Sequence, residues 1–339
     1  MNLDNSTIRH MTTLVTGGTG FLGSHLVRKL LDRGDREVRV LTRSYDRRLS
    51  EKGVEVVEGD LTEDDLSAAV EGVDRIYHLA GKVTRDRDRA HELHDLHVEG
   101  TRRLLEAVEP DEVEKIVVAS TSGTSGVSED PGDVADESSP PAETLIKDWP
   151  YYLSKLYEER LCERYREAEG LPIVIVKPSL LLGPGDERGS STRDVRLFLE
   201  GKVPAAPSGG IAFVDARDAA EAFLRAMDRA APGEAFMINQ VNLALEDYFE
   251  KLAAIANRSA PVRSLPDAIV TAGAKALDGL SDRVGVDGGI DPVSVEMARH
   301  YWYVDASKAR EELDWQPRDP NETLRDTVEW LEQRHPHLG

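Results

Sequence analysis

The sequence predicts an α/β fold: a doubly wound parallel sheet with a smaller, mainly helical part built against it. Three observations carry that expectation. A short apolar strand, a glycine turn and a helix open the periodic sequence at Met11. Further apolar runs of strand length follow, with helix-period segments between them. This alternation fades near residue 180, and the remainder reads mainly as helices.

Residues 1–10 are polar and read as a tail. Strands are expected at 12–16, 37–42, 54–57, 75–79, 115–119 and 173–176. Helices are expected at 25–32 (ended near Gly34), 64–70, 91–108 and 151–168. The segment 129–143 is rich in Asp, Glu, Ser and Pro and reads as a solvated loop, as does 182–193. Later helices are expected at 243–256, 266–281, 306–313 and 321–334. The sequence has no low-complexity linker, so the two parts form one packed unit. Residues 11–180 are expected to bind a dinucleotide. Residues 181–339 mainly bind substrate, with a stretch of about 211–240 returning to the first part.

The chain has 339 residues, 40% hydrophobic and 31% charged, enough to bury a core and too apolar for general disorder. It holds no apolar run of the ~18 residues that a membrane span requires. Asp and Glu number 63 against 42 Lys and Arg, for a net charge of −21. That balance repels nucleic acid and anionic membranes and leaves a small molecule as the expected partner. Cys162 is the sole cysteine, which excludes an intrachain disulfide and a multi-cysteine zinc site. A cytoplasmic location fits.

The strongest local motif is Thr16-Gly17-Gly18-Thr19-Gly20-Phe21-Leu22-Gly23. Gly17, Gly20 and Gly23 stand three apart between a strand and a helix. Glycine there permits a tight turn and close approach of a pyrophosphate, and the helix N-terminus offers amide donors. Gly17, Gly20, Phe21, Leu22 and Gly23 are therefore candidate cofactor contacts. After the second strand, where NAD sites carry an acid for the ribose hydroxyls, this chain has Arg43. A guanidinium suits a 2′-phosphate, which favours NADP over NAD. Asp60 and Leu61 follow the third strand, at adenine height. Leu79, Ala80 and Gly81 follow the fourth, where small residues let backbone lie along the cofactor.

Tyr151 and Lys155 are spaced i, i+4 and share a helix face. A nearby ammonium is expected to lower the tyrosine pKa, fitting the pair for proton transfer to a carbonyl oxygen. The hydroxyl cluster Ser120-Thr121-Ser122 ends the fifth strand and could hold that oxygen. His91, His94 and His97 lie on one helix, but three-residue spacing alone does not make a metal site, and none is expected.

Together these motifs resemble the extended short-chain dehydrogenase/reductase family, also described as the NAD-dependent epimerase/dehydratase family. The resemblance rests on Thr16–Gly23, Gly59-Asp60-Leu61, His78–Gly81, Val98–Thr101, Ser120–Ser122, Tyr151–Lys155, Lys177-Pro178-Ser179, Phe213–Asp218 and Trp315-Gln316-Pro317. It covers nearly the whole chain. It implies a Rossmann-type sheet, Tyr151 as general acid/base, Lys155 on the nicotinamide ribose, and Ser122 (with Thr121 as fallback) on the substrate oxygen. It further implies Pro178 beside the carboxamide and a homodimer through helices 91–108 and 151–168. Two positions depart from the family pattern. His97 stands where an Asn is usual, and Leu180 where nucleotide-sugar enzymes carry an Asn. The second departure suits a less polar substrate. It places the chain nearest the dihydroflavonol-4-reductase, 3β-hydroxysteroid dehydrogenase and hopanoid-associated epimerase branch. The expected function is reduction of a ketone, or oxidation of a secondary alcohol. A nucleotide-sugar epimerase or dehydratase using bound NAD is the alternative, and a non-catalytic dinucleotide sensor the third reading.

Overall fold

A computed structural model describes residues 11–35, 37–262 and 292–338. The expected tail 1–10 and helix 266–281 lie outside the described residues. The central sheet comprises β1 (Thr12–Thr16), β2 (Glu37–Thr42), β3 (Glu55–Glu58), β4 (Arg75–His78), β5 (Lys115–Ala119), β6 (Ile173–Pro178) and β9 (Ala235–Ile238). Their spatial order is β3-β2-β1-β4-β5-β6-β9, with every neighbouring pair parallel. This is the Rossmann-type doubly wound sheet. The order reverses between β1 and β4, and the crevice at the carboxyl ends of these strands is where such sheets take ligands.

Two apolar layers sandwich the sheet, which is why its strands read as continuous hydrophobic runs. On one face the Phe21–Arg33 helix packs against the Ala216–Arg229 helix and Trp315. Ala216, Ala219, Ala220, Ala222 and Ala226 are all fully buried, and their small side chains let the two helices approach closely. On the other face Leu66, Leu104, Leu105 and Cys162 cover Leu14, Ile76 and Ile116. Burial raises the Cys162 thiol well above its ordinary value, so it is an inert core residue.

Local chemistry sets the helix ends. Gly34 closes the first helix at φ 89°, a left-handed position that glycine adopts without strain. Pro150 starts the Pro150–Glu169 helix and Gly170 ends it at φ 74°. The expected single helix at 91–108 is instead Ala90–His94, a π-helical turn at Asp95–Glu99, and Gly100–Glu106. The interruption carries His97 inward.

The second half departs from the mainly helical expectation. A smaller sheet forms from β10 (Val241–Ala244), β8 (Gly210–Asp215) and β7 (Leu180–Leu182). Residues 243–256 accordingly divide between the end of β10 and a Leu245–Ala256 helix. Strand β9 returns to the central sheet beside β6. Among the described residues no helix is long and apolar enough to cross a membrane.

Trp315 is fully buried, and its indole Nε1 donates to the Asp218 carbonyl at 2.8 Å. Trp315→Ala should lower the unfolding free energy by about 3–5 kcal/mol in a denaturant titration. A loss below ~1 kcal/mol would show that the cavity collapses or that the C-terminal part packs independently.

Candidate active site

The glycine turn is built for close backbone approach. Gly17 has φ 69°, and a Cβ there would lie 2.6 Å from the Leu79 carbonyl carbon and oxygen. A Cβ on Gly23 would sit 2.1 Å from the Gly17 carbonyl oxygen. The turn is thereby pressed onto both the first helix and the end of β4. Gly20 caps that helix without a side chain, and the first helical turn carries no acidic residue. Its amides and dipole remain open to an anion. These features fit a dinucleotide pyrophosphate. Arg43 is exposed at the end of β2 and makes no ion pair among the described residues. Asp60 accepts from the Thr62 amide at 2.8 Å and hydroxyl at 2.6 Å, which holds its carboxyl below the usual range. It therefore shapes the turn after β3 as well as facing the crevice.

Above the switch point the chain encloses a cleft of about 1350 Å³. All the sequence-predicted residues line it: Gly17, Gly20, Phe21, Leu22, Gly23, Arg43, Asp60, Leu61, Leu79, Ala80, Gly81, Ser122, Tyr151, Lys155 and Pro178. The volume exceeds that of an ordinary single-ligand pocket, so a dinucleotide and a second molecule both have room. Leu180, Leu197, Phe249, Met297 and Trp302 form its apolar wall. Trp302 thus belongs to the cleft as well as the core. The Arg85 guanidinium pairs with Asp194 at 3.3 Å and Ser294 at 2.9 Å across the cleft.

Tyr151 lies at the start of its helix and lines the cleft together with Thr121. Ser122 is buried beside it on the same cleft wall. The expected lowering of the Tyr151 pKa does not occur. Burial pushes the phenol up, and the Glu158 carboxylate adds to that push. Lys155 is committed elsewhere: its Nζ donates to the Ala119 carbonyl at 2.7 Å and to Glu158 Oε2 at 2.5 Å. Sharing a helix face did not make Lys155 the partner of Tyr151.

Two histidines organise the floor. His97 Nε2 accepts from the Lys82 amide at 3.0 Å, so Nδ1 carries the proton and donates to Ser154 Oγ at 2.8 Å. Ser154 Oγ in turn donates to the Tyr151 carbonyl at 2.8 Å. His97 thus ties the π-helical turn to the first turn of the Tyr151 helix. His78 joins a longer series. The Ala80 amide donates to Thr16 Oγ1 (3.2 Å), which pairs with His78 Nδ1 (2.7 Å). His78 Nε2 pairs with Thr101 Oγ1 (2.8 Å), which donates to Glu158 Oε1 (3.0 Å). Because Thr101 donates to a carboxylate, its oxygen accepts from His78, which therefore carries a proton on Nε2. Burial and Lys155 lower its pKa to about 3. His91 and His94 are exposed whereas His97 is buried, so the three do not converge. No cluster of three potential metal ligands occurs among the described residues.

Sequence reading missed Glu158. Tyr151, Lys155, Glu158 and Cys162 stand at i, i+4, i+7 and i+11, one inward stripe of the helix. That stripe was the available signal, because an acid on it must be buried and paired.

A glycine-turn crevice leading to a tyrosine, a lysine and two hydroxyls defines a dinucleotide-dependent enzyme site on a Rossmann-type sheet. The NAD dependent epimerase/dehydratase family model matches residues 13–239, and the chain belongs to that family. It is therefore an NAD-dependent oxidoreductase or epimerase in the broad sense. A Synechocystis sp. protein provisionally named a dihydroflavonol 4-reductase is 32% identical over 96% of this chain and 95% of its own. Sterol demethylase protein B of Methylococcus capsulatus is 31% identical over 96% and 99%. The crystal structure of gox2253 superposes with a TM-score of 0.80 at 30% identity, covering 96% of this chain and 98% of the other.

Burial and Lys155 hold His97 well below its ordinary pKa of 6.5. In the unfolded chain it regains that value. Below pH 6.5 the unfolded state therefore binds a proton that the folded state refuses, and stability falls as pH drops. His97→Asn removes this contribution. Thermal or denaturant unfolding at successive pH values should show a shallower loss below that pH, by up to about 1.4 kcal/mol per pH unit. Identical slopes would mean that folded His97 titrates normally.

Proposed function

We propose that the protein is an NADP(H)-dependent ketone reductase, or secondary alcohol dehydrogenase, for a largely apolar substrate. The observation that carries this reading is that Tyr151, Thr121 and Ser122 line the cleft together where the glycine-turn crevice meets an apolar wall. The bound dinucleotide would supply or accept the hydride. Gly17, Gly20, Phe21, Leu22 and Gly23 would hold its pyrophosphate, Asp60 and Leu61 its adenine end, and Leu79, Ala80, Gly81 and Pro178 its nicotinamide half. Arg43 supports NADP: it is an exposed guanidinium at the end of β2, where a 2′-phosphate would fall.

Tyr151 would transfer the proton to and from the substrate oxygen. Thr121 and Ser122 would orient that oxygen. Lys155 has three ammonium donors, of which two are engaged, leaving one for the ribose. Leu180 supports an apolar substrate, because it puts no hydrogen-bonding group where a sugar nucleotide would need one. Residues 11–180 would serve the cofactor and the remainder mainly the substrate. The protein would work as a cytoplasmic homodimer joined through its two long helical segments at 90–106 and 150–169.

Tyr151→Phe tests the reading. Turnover can be followed by NADPH absorbance with a dihydroflavonol, and in reverse with a 3β-hydroxysteroid. Loss of the phenol should lower turnover by roughly 10²–10⁴-fold while leaving cofactor affinity intact. Unchanged turnover would overturn it. Tightly retained, non-exchanging NAD would point instead to an epimerase cycle.

A further inference from the structure

The loop that presents the cleft hydroxyls is held from behind by an ion pair. Thr121 and Ser122 line the cleft, and Ser120 and Thr124 flank them in the chain. Both flanking hydroxyls donate to one carboxylate oxygen: Ser120 Oγ to Glu159 Oε1, and Thr124 Oγ1 to the same atom at 2.9 Å. The other oxygen, Oε2, accepts from Lys177 Nζ at 2.7 Å, and that ammonium also lies 3.4 Å from Thr124 Oγ1. The Glu159 and Lys177 side chains are 11% and 12% exposed, and neither lines the cleft.

One carboxylate thereby joins three elements. Glu159 belongs to the Pro150–Glu169 helix, which carries Tyr151 and Lys155. Ser120 and Thr124 bracket the loop after β5. Lys177 lies on β6, one residue before the cleft residue Pro178. Backbone bonds stiffen the loop between its anchors. The Ser120 amide donates to the Val176 carbonyl at 2.9 Å, and the Ser125 and Gly126 amides donate to the Ser122 carbonyl at 3.2 and 2.7 Å. The loop also rests on the Tyr152 ring, since a Cβ on Gly123 would stand 2.3 Å from Tyr152 Cε1. A ring contact resists approach but not sliding, whereas hydrogen bonds are directional and fix register. A mostly buried ion pair adds little net stability, so the register it imposes is its larger effect.

We propose that Glu159, held by Lys177, is a positioning residue: it fixes the Thr121–Ser122 loop against the helix of Tyr151, so that a substrate oxygen meets the phenol and the hydroxyls together. This rests on the reading of Tyr151, Thr121 and Ser122 as the groups that meet that oxygen. Glu159 touches neither cofactor nor substrate and acts through Ser120 and Thr124.

The test is hydrogen–deuterium exchange of the folded protein, read by mass spectrometry over residues 120–126. Glu159→Gln keeps the shape but turns an amide NH₂ towards donors. Exchange in this loop should rise about tenfold or more, with the central sheet unchanged. If Glu159→Gln does not fold, Lys177→Met breaks the same link from β6 and reads the same change. Unaltered exchange in the loop, or an equal rise in the sheet, overturns the proposal. Turnover gives a second readout. Glu159→Gln should lower kcat by about 10–10²-fold and leave the KM for NADPH unchanged. In a Thr121→Val/Ser122→Ala background the same substitution should cost little more, because residues that act as a unit are not additive. Losses that multiply show a merely structural role and overturn the proposal. The exchange measurement needs no turnover, so it fails or succeeds separately from the reductase reading.

Discussion

The fold turns on one crowded backbone contact. The turn between β1 and the first helix presses its Gly17 carbonyl against Gly23 and its Gly17 Cα against the Leu79 carbonyl. No side chain fits at either point without moving backbone. The contact brings together β1, β4 and the helix N-terminus at the place where the strand order reverses. The crevice, the open amides and the run of small residues after β4 all follow from it. The remainder of the cleft is added by the second half, whose small sheet and helices raise an apolar wall opposite the turn.

Buried polarity joins that turn to the reaction centre. Thr16, at the end of β1, is connected through His78 and Thr101 to Glu158 and so to Lys155. Every member has a partner, as a low-dielectric interior demands. Burial and the Lys155 charge keep His78 neutral within the series. His97 holds the Tyr151 helix by a second, separate route through Ser154. The two residues of the Tyr-x-x-x-Lys pair are thus positioned by different networks, and Lys155 is drawn away from the role its spacing suggested.

Much of the architecture was legible in the sequence. Strands β1 and β5 are buried along nearly their whole length and β2 over its second half, and all three matched residue for residue. The glycine turn was legible because its spacing has one economical explanation. The short strands β7 to β10 were not. Val241–Ala244 is half-buried throughout and shows no alternation, and Leu180–Leu182 is an apolar triplet that fits a loop equally well. The π-helical turn was invisible because one extra residue in a helix leaves the apolar periodicity nearly unchanged. The Tyr151 pKa was misjudged because spacing reports which side chains share a face, not which acceptor lies nearest. Glu158, three residues from Lys155, accepts from its ammonium at 2.5 Å.

The central claim is that this turn seats a dinucleotide with its reacting end towards Tyr151 and Lys155. It is tested most directly by titrating NADPH and NADH, by fluorescence, into the wild-type protein and into folded Gly23→Ala. A Cβ at residue 23 meets the Gly17 carbonyl at 2.1 Å, so the turn must open. The account predicts saturable binding to wild type, tighter for NADPH, and loss of both cofactors in the variant. A folded Gly23→Ala protein that binds either cofactor as wild type does would contradict it.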